Sequence, residues 1–164
     1  MNNPRKPLTE TQAMNRAAAL CARSEQAPRD IREKLLRWGL TTDAANQVLN
    51  QLVDQGFIDE QRFACAFVND RFNFNGWGRV KIAYQLRLKG ISNEFIDEAM
   101  ALIDEEKYRQ RLVELLHSKW RVIKEREPRA AWAAMMRFAT SRGFESDIAA
   151  ECVKQVTHLD DQDD

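Results

Sequence analysis

Three cysteines and two histidines are the side chains here best suited to nucleophilic or soft-metal chemistry, and their spacing opposes both roles. Cys21, Cys65 and Cys152 form no C-x-x-C pair, and three thiols cannot all be bridged. Each lies among apolar neighbours in a helical pattern, which suits buried free thiols in a reducing compartment. His117 and His158 are far apart in sequence, so a zinc site would have to recruit widely scattered ligands. Gly76 and Gly78 lack the spacing and strand context of a phosphate-cradling loop. Carboxylates are plentiful, but most stand at helix starts or at the i, i+4 spacings of solvated faces. No catalytic constellation emerges. Neither an enzyme, a cofactor nor a metal is expected.

The basic residues offer a different chemistry. Between Arg71 and Ile91 the chain carries Arg71, Arg79, Lys81, Arg87 and Lys89 and no acid. Between Lys107 and Arg142 ten bases face only Glu114, Glu125 and Glu127, while the last five residues hold four acids. Such stretches are either solvated helix faces or a surface for an acidic partner, nucleic acid or protein. The run Arg71-Phe72-Asn73-Phe74-Asn75-Gly76-Trp77-Gly78-Arg79 mixes bases with aromatics. That mixture can stack on single-stranded bases, or the aromatics can staple the loop to a core.

Positioning these side chains requires helices, and a repeat shows how many. Three segments, residues 31–40, 82–91 and 135–144, are helical stretches ended by glycine and then a large apolar residue: Gly39-Leu40, Gly90-Ile91 and Gly143-Phe144. Asp43, Glu94 and Asp147 follow at equivalent places, where a carboxylate complements the dipole of the next helix. Apolar positions keep step, as Ala45, Ile96 and Ala149, then Val48, Ala99 and Cys152, then Leu52, Ile103 and Val156. One further helix precedes each segment: about 10–25, capped by Thr9 with Gln12 three residues on; about 60–72, started by Asp59; and about 105–124. Pro28 and Pro128 open second helices, where a missing N–H costs nothing, and Gly78 opens the corresponding one. The spacing predicts an all-α protein of three tandem three-helix repeats forming an elongated body. The expected boundaries are 9–56, 57–104 and 105–157, with a flexible segment 1–8 and an acidic disordered tail 158–164.

Helix–glycine–helix is also the outline of a DNA-reading motif. Here the helix after Gly90 carries Glu94, Asp97, Glu98 and Asp104 without a base, which is electrostatically wrong for a major groove. Composition narrows the class further. The 164 residues are 44% hydrophobic and 30% charged with zero formal net charge, too apolar and too neutral for a disordered chain. No apolar run approaches the ~20 residues of a membrane span, and no apolar stretch follows Arg5 and Lys6 as a secretory signal would require. A cytoplasmic monomer is expected.

One stretch resembles a known family. Gly56-Phe57-Ile58-Asp59-Glu60-Gln61-Arg62-Phe63-Ala64, then Phe67 and Arg71, then Gly76-Trp77-Gly78-Arg79-Val80-Lys81-Ile82, then Leu86 and Lys89-Gly90-Ile91-Ser92 are similar to the RecX family pattern. Asn75 and Gln85 depart from it. The resemblance implies a small, curved, modular helical regulator of the bacterial recombinase RecA, acting in recombination, DNA repair and the SOS response. Such proteins lie in the groove of the RecA filament on single-stranded DNA and restrain its ATPase, recombinase and co-protease activities without chemistry of their own. Where the resemblance coincides with the acid-free basic stretch, Arg71, Trp77, Arg79, Lys81, Arg87 and Lys89 are the candidate contacts to partner or DNA, with weak direct DNA binding expected beside them. The alternative is a general nucleic-acid-binding helical protein with no dedicated protein partner.

Overall fold

The computed structural model describes residues 6–160, which form nine helices and no strand. They are α1 (Glu10–Arg23), α2 (Pro28–Arg37), α3 (Thr42–Asp54), α4 (Glu60–Asn73), α5 (Arg79–Leu88), α6 (Asn93–Met100), α7 (Glu105–Ile123), α8 (Pro128–Ser141) and α9 (Ser146–Asp160). Local chemistry sets their starts. Thr9 Oγ1 accepts from the Gln12 N–H while Gln12 Oε1 accepts from the Thr9 N–H, which satisfies two orphan donors at once. Asp59 and Asp104 accept from the N–H groups of Arg62 and Lys107, and Pro28 and Pro128 occupy first-turn positions.

The three glycine endings are built alike. Gly39, Gly90 and Gly143 have φ of 96°, 80° and 94°. In each, the next residue donates its N–H five residues back: Leu40 to Leu35 O, Ile91 to Leu86 O and Phe144 to Ala139 O, at 3.3, 3.1 and 3.1 Å. This closure satisfies an orphan carbonyl and folds the apolar residue onto the preceding turn. Leu40, Ile91 and Phe144 are all buried.

Two compact units result. Unit one takes the chain through Ala66 together with Leu86–Ile96, and unit two takes Phe67–Gln85 together with the chain from Asp97 onward. The residues of the second repeat are thus shared out between the units.

In unit one, α1, α2 and α3 pack on one another around Ala13, Ala17, Ile31, Leu35, Val48 and Leu52. The alanines on α1 leave room for close helix approach. Leu8 packs against this core and donates its N–H to Trp38 O at 2.9 Å, so Lys6–Leu8 run beside the end of α2. The flexibility expected of the N-terminal segment concerns, beyond these three, residues 1–5, which lie outside the described residues. Of the disordered tail expected at 158–164, residues 158–160 instead continue α9 to its end, and 161–164 lie outside the described residues.

In unit two, α7 presents Tyr108, Leu112, Leu116 and Ile123 to α8 and α9, which answer with Ala131, Met135, Ala139, Ala149, Val153 and Val156. Phe72 stacks on Tyr108 and Tyr108 meets Phe144 at a tilt of 46°, with centroids 5.8 and 5.1 Å apart. The thiols are free; Cys152 is buried, Cys21 and Cys65 half-buried. Burial pushes the Cys21 and Cys152 thiols up, with the Glu25 charge adding at Cys21, so both are held protonated.

Candidate functional site

The loop between α4 and α5 is organised by cations on aromatic rings. Arg71, in the last turn of α4, lies 4.8 Å from the Phe67 ring centroid and 5.1 Å from that of Trp77. Its Nη1 donates to Asn75 Oδ1 at 3.2 Å, and its backbone carbonyl accepts from the Trp77 N–H at 3.0 Å. Arg71 Nε is buried without a hydrogen-bond partner. Lys81, in the first turn of α5, places Nζ 4.4 Å from the same indole centroid. Phe67 meets Trp77 edge-on at 6.4 Å. Two cations on one half-buried indole are worth about 1 kcal/mol each at such partly exposed sites.

Arg79 has a different environment. Its guanidinium lies 3.9 Å over the Tyr108 ring and pairs with both Glu105 and Glu145, the latter at 3.3 Å. The Tyr108 hydroxyl donates to Glu145 at 2.5 Å and accepts the Arg79 backbone N–H at 3.0 Å. Burial, reinforced by the hydrogen bond to Glu145, pushes the Tyr108 phenol far above its usual range, so it stays neutral while donating to Glu145 and accepting from Arg79. Tyr108→Phe leaves the Arg79 N–H without its acceptor and Glu145 without a donor. The expected loss is about 1–2 kcal/mol in urea unfolding, with helicity unchanged.

The remaining two candidates belong to unit one. Arg87 is exposed and donates from Nε to Asn93 Oδ1 at 3.2 Å. Lys89 pairs with Asp30 at 2.7 Å and lies 6.0 Å from the Phe63 ring centroid. Beside it, Arg29 Nη1 donates to Leu88 O at 2.7 Å, capping the end of α5. The structure therefore brings Arg71, Trp77 and Lys81 into one cluster and places Arg79 among carboxylates. Glu105, Glu145 and Tyr108 are the residues that sequence reasoning missed. They stand 26, 66 and 29 residues from Arg79, and no periodic signal links them. Among the described residues no group of three His, Cys, Asp or Glu is placed to hold a metal ion. No described helix is long and apolar enough to cross a membrane.

The family described as RecX, second three-helix domain, matches residues 59–100, the stretch that holds all six candidate residues. The regulatory protein RecX of Clostridium tetani is 30% identical over 124 residues, covering 74% of this chain and 56% of that protein. Its namesake from Halorhodospira halophila is 39% identical over 84 residues, about half of each chain. The chain belongs to the RecX family. Against the first curated RecX relatives it matches, it spans about half to two thirds of their length. The fold agrees with solved RecX structures. The crystal structure of RecX from Lactobacillus salivarius superposes with a TM-score of 0.80 over 90% of this chain and 96% of that one, at 18% identity. A second crystal structure of regulatory protein RecX gives 0.81 over 89% and 73%, at 23% identity. Fold thus persists where identity has largely gone, and the family match itself falls on α4 to α6.

Proposed function

We propose that this chain is a non-enzymatic regulator that binds RecA and its filament on single-stranded DNA and restrains the filament's ATPase, recombinase and co-protease activities. The observation that supports it most is the family match over residues 59–100, which coincides with the acid-free basic stretch from Arg71 to Lys89. The cluster of Arg71, Trp77 and Lys81 suits such a role. Cations already held over aromatic rings lose little side-chain freedom on meeting an acidic surface. Lys81 and the exposed Arg87 are the contacts proposed for phosphate or RecA carboxylates. Arg79 and Lys89, paired with carboxylates of their own units, act by holding α5 in place. The test is DNA-dependent ATP hydrolysis by RecA with increasing amounts of this chain. The rate is expected to fall, and to fall less with Lys81→Glu/Arg87→Glu; an unchanged rate with the unsubstituted chain would remove the proposal.

A further inference from the structure

In unit one, a cavity of about 510 Å³ opens between the N-terminal strap, α1 and the end of α2. Its lining is Lys6, Leu8, Arg16, Leu20, Lys34, Arg37, Trp38 and Gly39: four bases, an apolar wall and no acid. None of the four bases forms an ion pair with a described residue, unlike Arg62, Arg79, Lys89 and Arg109. Arg16 instead lies over the Trp38 ring, 4.9 Å from its centroid. The walls are fixed by backbone. Leu8 donates to Trp38 O, and an added Cβ on Gly39 would come within 2.7 Å of Pro7 Cβ, so only glycine admits the strap at this distance. Four bases around one cavity with no acid in its lining give it a positive potential that favours an anion.

We propose that this cavity is a nucleotide-phosphate site through which unit one takes hold of single-stranded nucleic acid. Lys6, Lys34 and Arg37 take phosphate, and the wall of Leu8, Leu20 and Trp38, with Arg16 over the indole, takes a base. An apolar wall beside converging cations matches a nucleotide, which is half flat apolar ring and half anion, better than a bare inorganic ion. The site is separate from the candidate residues of α4 and α5, and binding there requires no recombinase.

The test is fluorescence anisotropy of a labelled 20-nucleotide oligo(dT) titrated with the full chain at several salt concentrations. Lys34→Gln/Arg37→Gln is expected to weaken binding at least tenfold at low salt. It should also flatten the slope of log K against log salt by about 1.4, the loss of two single-strand phosphate contacts. Lys34→Arg/Arg37→Lys should retain binding. Arg126→Gln/Arg129→Gln, an exposed pair on unit two, should change it less than twofold. Circular dichroism establishes that each variant is folded. No oligonucleotide binding by the unsubstituted chain, or equal loss in the two Gln pairs, would overturn the proposal. So would competition by free dTMP as strong per nucleotide as by the oligonucleotide, which would assign the cavity to a free nucleotide.

Discussion

Replacing Gly78 with alanine is expected to destabilise unit two by roughly 3 kcal/mol or more, among the largest effects available to a single added methyl group. The Gly78 N–H donates to Arg142 O at 2.8 Å and the Val80 N–H to Gly143 O at 2.9 Å, so the start of α5 is bonded to the turn that ends α8. A Cβ on Gly78 would overlap the Gly143 carbonyl and the Phe144 nitrogen, which are backbone atoms and cannot swing aside. Gly143 is constrained from the other side, since its own Cβ would meet Lys81 N at 2.6 Å. Both hydrogen bonds break if the segments separate. Gly56 supplies the control. Its φ is +77° but nothing lies within 4 Å of an added methyl, so alanine there costs only the left-handed strain of about 1 kcal/mol. Urea unfolding of both variants checks this: equal shifts in midpoint would mean that the α5 start is not docked on the Gly143 turn.

Arg79→Glu is expected to lower stability by about 2–3 kcal/mol. The sequence alone suggests that reversing Arg79 and Lys81 together leaves melting unchanged. The structure separates them. Reversal at Arg79 places a third carboxylate beside Glu105 and Glu145 and strips the cation from the Tyr108 ring. Breaking a buried pair costs about 3–5 kcal/mol, and solvent reaching Arg79 (28% exposed) and Glu105 (56% exposed) reduces that here. Lys81→Glu loses only the contact with Trp77, about 1 kcal/mol. Thermal melts should rank the unsubstituted chain above Lys81→Glu and both well above Arg79→Glu. A melting temperature for Arg79→Glu equal to that of Lys81→Glu would show that the ion pairs contribute nothing.

The features legible in the sequence are those whose partners lie within a few residues. Thr9 and Gln12 announce the start of α1 because capping acts over three positions. Gly39, Gly90 and Gly143 announce helix ends because the left-handed turn is a local demand on one residue. Apolar spacing on α3, α7 and α9 gives the buried faces for the same reason. The crossing of Gly78 and Gly143, and the carboxylates around Arg79, depend on which segments meet across dozens of residues, and no local pattern encodes that. Lys6, Lys34 and Arg37 show the same limit. Singly they read as solvated bases, and only packing of the strap against α2 collects them around Trp38.

Engagement of the recombinase filament is measured most directly by co-sedimentation. RecA filaments assembled on single-stranded DNA are pelleted with this chain, beside parallel samples of DNA alone and RecA alone, at a salt concentration where naked DNA leaves the chain in the supernatant. The chain is expected to pellet with the RecA–DNA filament in saturable proportion to RecA. Recovery in the supernatant with filament present, or pelleting with DNA alone to the same extent, would contradict its proposed role as a regulator of the filament.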